Sequence, residues 1–422
     1  EDGPERLEDG PERLEDGPER LEDGPKSRDV PAERLYPLAA DFGMAQWVFS
    51  LGTYAYESSR SLLCAYTDRG QVRMERLDVE SGRPTPLDLP YQLMFPSYSR
   101  LRIAGGAAVF VGASATQAPA IVRVDLATGE HTILRRSTEL AVDAGYLSIA
   151  QPIEFPTEDG LTAYGYYYPP RNRDFAAPPG ELPPLLVTSH GGPTSATNGF
   201  LDLENQYWTS RGFALLDVDY GGSTGYGRAY RERLYGQWGI VDVADCVNGA
   251  RYLAERGLVD GDRLIIRGAS AGGYTTLCAI TFHDVFRAAA SHYGISDLEA
   301  LAQETHKFES RYTDQLVGPY PARRDLYVAR SPIHFAHNCS AALILFQGQD
   351  DEVVPPAQSE AMFRAARDRE LPVAYVPFAG ERHGFRRAEN IKRAIEGELV
   401  FYGRVLGFTP AGPLPVVEIE NL

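Results

Sequence analysis

Two pentapeptides in this chain of 422 residues have the form Gly-x-Ser-x-Gly: Gly268-Ala269-Ser270-Ala271-Gly272 and Gly221-Gly222-Ser223-Thr224-Gly225. A serine in such a motif can stand at the tip of a tight strand-to-helix turn, with its hydroxyl projecting, because small neighbours let the strained turn pack closely. With 41 glycines a chance match is expected, so the flanking residues must decide. Ser270 follows a strand-like run at 263–266 and precedes 271–282, whose Leu277, Ile280 and alanines suit a buried helix. Ser223 is followed by Tyr226-Gly227-Arg228 and a charged, glycine-interrupted stretch that cannot form that helix. Ser270 is the candidate nucleophile, and Ser223 reads as loop.

A nucleophilic serine needs a histidine to take its proton and a carboxylate to hold that histidine. On α/β-hydrolase sheets these occur in the order nucleophile, acid, histidine. Of the eight histidines only His383 lies beyond the acid candidates Asp350 and Asp351. Both aspartates follow the apolar run 341–346, at the strand end where such sheets place functional groups, and spacing alone leaves the two open. His383 falls in a loop between strand 373–376 and the last helix. His190-Gly191-Gly192-Pro193, after strand 185–188, can present backbone N–H groups that complete an oxyanion hole with the N–H of Ala271. His334-x-x-His337 lacks the glutamate and third ligand of a metal site, and 221–227 lacks the Lys-Ser/Thr ending of a phosphate loop.

These groups need a scaffold, and the chain changes character at about residue 147. After it, strand-like runs at 185–188, 214–218, 264–266, 288–291, 341–346 and 373–376 alternate with helical stretches at 201–211, 241–256, 271–282, 361–369 and 391–405. That alternation predicts an α/β fold with a mostly parallel sheet covered on both faces, over 148–408. Before it, 26–147 reads as short β-strands. Arg76-Leu77-Asp78-Val79-Glu80-Ser81-Gly82 recurs 47 residues later as Arg123-Val124-Asp125-Leu126-Ala127-Thr128-Gly129. Each copy is a strand ending in an Asp-x-x-Ser/Thr-Gly hairpin turn, and the period matches propeller blades. At that period the region holds about two blades, where four to eight close a ring. Residues 1–25 repeat Glu-Asp-Gly-Pro-Glu-Arg-Leu; Gly-Pro in every copy breaks any helix, so a disordered acidic tail is expected. Residues 409–422 read as a loose C-terminal tail.

Net charge is −17, of which −8 falls in the first 25 residues, so the body is mildly acidic. No basic face for nucleic acid is expected. The longest nearly apolar run, 103–113, is far short of the roughly 20 residues of a membrane span. Cys64, Cys246, Cys278 and Cys339 are far apart and read as buried thiols in a reducing, cytoplasmic setting.

Ser270 in Gly-Ala-Ser-Ala-Gly-Gly-Tyr, the run Gly348-Gln349-Asp350-Asp351-Glu352-Val353-Val354-Pro355, the His383-Gly384 loop, the His190 loop and Asp219-Tyr220-Gly221-Gly222-Ser223-Thr224-Gly225-Tyr226-Gly227 together resemble the prolyl oligopeptidase family. The likeness is to its acylaminoacyl-peptidase and dipeptidyl-peptidase branches. It implies an α/β-hydrolase domain behind a propeller, and a serine peptidase for short peptides that needs no cofactor or metal. The family's Gly-x-x-Asp-x-x-Val pattern selects Asp351 as the acid. The resemblance further implies that His190 helps hold the oxyanion, and that Phe308, Tyr312 and Val354 line an apolar pocket for the residue before the scissile bond. Val353 stands where prolyl oligopeptidases proper carry an arginine, which argues against strict proline specificity. The short β-region departs from a full ring, so its open edges are expected to pair with a second copy as a homo-oligomer. Two competing functions share this sequence: a carboxylesterase using the same three residues, and a non-catalytic interaction protein.

Overall fold

Runs rich in Val, Ile, Leu and Ala between turn residues give two consecutive antiparallel sheets at the start of the chain. The structure, a computed structural model, describes residues 34–43, 49–93 and 100–422, and the acidic repeat lies outside them. The first sheet is a meander of β1 (Tyr54–Tyr56), β2 (Ser61–Asp68), β3 (Gln71–Asp78) and β4 (Pro84–Pro86). The second contains β5 (Gln92–Leu93), β6 (Arg102–Ala104), β7 (Ala107–Ala113), β8 (Ala120–Asp125) and β9 (His131–Arg136), in the order β5-β7-β8-β9 with β6 also on β7. Leu63, Val72, Phe110, Val122 and Val124 meet in one core under both.

The two repeated turns are built alike. Asp78 closes β3 by accepting the N–H of Ser81, and its backbone carbonyl accepts the N–H of Gly82. Asp125 does the same at the end of β8, accepting Ala127 and Thr128 N–H while its carbonyl takes Gly129 N–H. These side-chain bonds hold both carboxyls below the usual carboxylate range. The glycine is required because it takes a positive φ, 65° at Gly82 and 76° at Gly129.

The rest of the chain is one eight-stranded sheet: β10 (Gln151–Pro156), β11 (Thr162–Tyr168), β12 (Leu185–Ser189), β13 (Ala214–Asp219), β14 (Leu264–Ala269), β15 (Ala288–His292), β16 (Ala342–Gly348) and β17 (Val373–Phe378). Their order is β10-β11-β13-β12-β14-β15-β16-β17. The first two pairings are antiparallel and all later ones parallel. This is the α/β-hydrolase arrangement, preceded by antiparallel sheets. The antiparallel pair β10 and β11 was not visible in the alternating pattern, because tyrosines and polar residues dilute its apolar signal.

Strand residues feed two cores by simple alternation. Leu185, Val187, Leu264 and Ile266 point to the side of α3 (Val241–Glu255), α4 (Ala271–Phe282) and α8 (Ala357–Asp368). Leu186 and Ile265 point to the side of α1 (Leu203–Thr209) and α9 (Ala388–Leu406), against Trp208, Phe401 and Tyr402. Ile265 is fully buried, so its truncation to alanine would cost about 2–5 kcal/mol. Residues 409–422 are not a loose tail. Leu414, Val417 and Ile419 pack on this second core, and Glu420 exchanges both backbone hydrogen bonds with Val373 at 2.8 and 3.1 Å. Apolar side chains at alternating positions carry the segment back to the sheet edge.

Between β13 and α3 lies the short α2 (Arg228–Arg231). Between β15 and β16 the chain adds α5 (Leu298–Glu304), α6 (Tyr312–Leu316) and α7 (Arg324–Ala329). This insertion forms part of a cavity at the C-terminal ends of the parallel strands.

Candidate active site

β14 turns into α4 at Ser270, whose φ of 56° and ψ of −118° lie outside the regions open to an ordinary L-residue. The turn is so tight that a Cβ on Gly268 would lie 2.2 Å from the carbonyl oxygen of Gly272, and one on Gly272 equally close to that of Ser189. Only glycine fits at both positions. Two backbone bonds hold the strained residue: Ser270 N–H donates to His292 O at 2.9 Å, and Tyr274 N–H donates to Ser270 O at 3.0 Å.

The hydroxyl of Ser270 meets His383 Nε2 at 2.9 Å, and His383 Nδ1 meets Asp351 Oδ2 at 2.8 Å. The carboxylate fixes the tautomer: Nδ1 carries the proton, so Nε2 is free to accept from the serine. Asp351 is only 4% exposed, and its other oxygen accepts the backbone N–H groups of Val353 and Val354, both at 2.9 Å. Gln347 adds a longer bond of 3.3 Å to Oδ2. Asp350 is exposed and contributes a backbone N–H to Glu381 O. The Tyr293 and His383 rings pack edge to face with centroids 4.8 Å apart. Tyr293 and Gln347 carry no motif, so nothing in the sequence singled them out.

Beneath the turn sits a buried charge cluster. Glu398 of α9 accepts two bonds from Arg267 of β14 at 2.9 and 3.0 Å, one from Tyr402 at 2.9 Å, and pairs with His292 Nε2 at 2.6 Å. Burial pushes the Glu398 carboxyl up, but Arg267 and His292 together outweigh it and hold it at about 2. His292 therefore works twice: its carbonyl holds the Ser270 N–H, and its ring is tied to α9.

The His190 loop reaches the turn through its glycines. A Cβ on Gly191 would lie 3.7 Å from the Ser270 Cβ. Both ring nitrogens of His190, which was expected to help hold the oxyanion, already have partners. Its Nδ1 lies 2.8 Å from Gly191 O and its Nε2 2.6 Å from Ser223 Oγ. Burial pushes its imidazole down to about 4, so the ring is neutral, donating to the carbonyl and accepting from the serine. Ser223 is fully buried.

A cavity of about 480 Å³ opens on Ser270, Ala271 and His383. Its walls include Trp238, Ile295, Leu301, Tyr312, Val353 and Val354, and polar residues such as Ser195, His306 and Glu309 also line it. Tyr312 and Val354 line it. Phe308 does not: it is 87% exposed and outside the cavity. It lies between His306 and Glu309, the residues of that segment that do face inward, so the turn carries its ring to solvent.

Residues 200–409 match the family model described as the prolyl oligopeptidase family. Dipeptidyl aminopeptidase BIII of Pseudoxanthomonas mexicana is 30% identical over 292 residues, covering 67% of this chain and 42% of that protein. A solved puromycin-hydrolyzing peptidase of Mycobacterium tuberculosis superposes with a TM-score of 0.87 at 43% identity, covering 92% of this chain and 58% of that one. The acylaminoacyl peptidase of Pyrococcus horikoshii, at 23% identity and a TM-score of 0.69, shares the fold over 83% of this chain and 55% of its own. The chain thus spans about half the length of the relatives it matches.

Proposed function

Because the chain belongs to the prolyl oligopeptidase family of serine peptidases, we propose that it hydrolyses peptide bonds of short peptides through an acyl-enzyme on Ser270. The observation that carries this reading is the continuous hydrogen-bonded series Ser270–His383–Asp351 at the mouth of the cavity. Ser270 Oγ attacks the substrate carbonyl while His383 Nε2 takes the hydroxyl proton. Asp351 stabilises the imidazolium without itself being protonated. The charge on the carbonyl oxygen falls to the N–H of Ala271, in the first turn of α4, and to the backbone of the Gly191 loop. His383 then gives its proton to the leaving amine, that amine departs, and water repeats the sequence on the ester.

The neutral His190 serves this reaction by bracing the loop rather than by touching the oxyanion. Tyr220 adds to that brace: its hydroxyl donates to Pro193 O at 2.9 Å and lies 3.1 Å from His190 O. The buried thiols of Cys64, Cys246, Cys278 and Cys339 support a reducing, cytoplasmic setting. Pairing of copies through the β-region also belongs to the reading: β9, exposed at five of its six residues, ends one sheet, and light scattering on the purified chain tests the pairing.

The test is a panel of chromogenic substrates compared by kcat/KM: free-amine aminoacyl, N-acetyl-aminoacyl, dipeptidyl and simple ester compounds. The reading predicts turnover of at least one amide substrate, lost with Ser270→Ala. Turnover of esters alone would assign a carboxylesterase instead.

A further inference from the structure

The cavity that opens on Ser270 has apolar walls and a single carboxylate. Glu309, in the segment joining α5 to α6, lines it together with the two imidazoles of His306 and His383 and no lysine or arginine. Its side chain is 25% exposed, at the rim rather than in bulk solvent.

The partners of this carboxylate are weak. Thr305 Oγ1 lies 3.5 Å from Oε2, and His306 Nε2 lies 3.7 Å from Oε1. The cations nearest in sequence do not neutralise it: Arg311 pairs with Asp314 at 3.0 Å, and Lys307 has no ion pair to Glu309 among the described residues. By contrast Glu381 takes three N–H bonds, from Arg386, Arg387 and Asn390. Glu309 retains acceptor capacity on both oxygens.

We infer that Glu309 is a specificity residue whose carboxylate receives a cationic nitrogen of the substrate beside the scissile bond. The inference rests on the reading of Ser270 as nucleophile. The apolar walls (Trp238, Ile295, Leu301, Tyr312) take the aliphatic or aromatic part, and the rim carboxylate takes the charge. That is how amphipathic cations are divided between a dry wall and a wet edge. A partly screened, charge-assisted bond of this kind discriminates a cation from its neutral isostere, and salt weakens it. Two groups supply the same chemistry: the α-ammonium of a free N-terminus, and the side chain of lysine or arginine before the scissile bond.

The experiment uses matched pairs of p-nitroanilides with the whole chain and with Glu309→Gln. One pair is leucine against N-acetyl-leucine, which differ in the α-ammonium. The other is N-acetyl-lysine against N-acetyl-norleucine, which differ in the side-chain cation. The readout is the ratio of kcat/KM, cationic over neutral, within each pair. The inference predicts that Glu309→Gln lowers that ratio by about tenfold or more in one pair, and that 1 M salt erodes it in the unsubstituted protein. A drop confined to the first pair identifies the α-ammonium, and one confined to the second identifies the side chain. Ratios unchanged in both pairs, with the substrates still turned over, would overturn the role of Glu309 alone. No turnover of any amide by the unsubstituted chain would overturn the peptidase reading on which it stands.

Discussion

Ser270 and Ser223 sit in the same five-residue pattern, and each hydroxyl meets a histidine Nε2, at 2.9 and 2.6 Å. What lies behind each histidine differs. His383 turns its Nδ1 to the carboxylate of Asp351, whereas His190 turns its Nδ1 to the carbonyl of Gly191. A carboxylate can stabilise an imidazolium; a backbone carbonyl in a buried site stabilises it far less, and burial already holds His190 neutral at about 4. The nearest carboxylate to His190 Nε2 is Asp219 at 4.0 Å, itself buried and pushed well above the usual carboxylate range by desolvation. The backbones differ as well. Ser270 is strained at a strand-to-helix turn that opens on a cavity, and Ser223 is fully buried in a loop. The same serine–histidine contact thus suits a brace in one place and, under the proposed function, a proton relay in the other.

The largest effects should separate the two serines by rate. Ser270→Ala is expected to reduce kcat by about 10⁴ or more, leaving only the residual contribution of binding and the oxyanion donors. Ser223→Ala should fall well short of that in the same steady-state assay. Equal losses would erase the distinction.

The two aspartates sharpen it further. Asp351→Asn is expected to cost up to about 10⁴ in kcat, since an amide cannot hold the correct tautomer or balance the imidazolium. Asp350→Asn, at an exposed residue, should change the rate several-fold at most. Reversal of these two costs would mean that the acid has been misassigned.

A third difference lies underneath. The turn at Ser270 is anchored through His292 to Glu398 and Arg267, so Glu398→Gln breaks a buried pair and should cost about 3–5 kcal/mol in urea unfolding. Its pH dependence carries a definite sign. The Glu398 carboxyl is held at about 2, below its ordinary 4.5. Its ionised form thus contributes stability that is fully present above about 4.5 and disappears as pH falls toward 2. The gap between the unsubstituted protein and Glu398→Gln should narrow across that window. Asp217, Asp242 and Asp245, pushed up to about 6 by burial, have the opposite sign: their contribution falls as pH rises from 3.8 to 6. They are common to both proteins and cancel in the difference.

The smallest effect belongs to the Ser223 brace. Ser223→Ala leaves the buried His190 Nε2 without its donor, for about 1–3 kcal/mol of stability. A calorimetric scan reads it as a lower Tm.

These contrasts also explain what the sequence made legible. Ser270, His383 and the pair Asp350/Asp351 were legible as candidates because each lies next to a strand end and because a nucleophile, acid and base must follow one another around a parallel sheet; the choice of Asp351 came from the family resemblance. The repeat of Asp78 and Asp125 was equally readable, since both side chains bond residues within three positions. The His190–Ser223 contact was not, because its partners lie 33 residues apart in two separate loops. The same applies to Glu398, whose chemistry comes from β14, β15 and its own helix. Phe308 shows the limit of transferring a residue by motif: His306 and Glu309 on either side of it face the cavity, and the turn between them directs Phe308 to solvent. The α5–α7 insertion carries no apolar period long enough to announce three short helices.

We propose that nucleophilicity belongs to Ser270 and not to the serine of the matching pentapeptide. Reaction of the unsubstituted chain with a fluorophosphonate, followed by mass-spectrometric mapping of the modified peptide, tests it most directly. One adduct per chain is expected, on Ser270, absent from Ser270→Ala and retained in Ser223→Ala. An adduct on Ser223, or undiminished labelling of the Ser270→Ala protein, would contradict it.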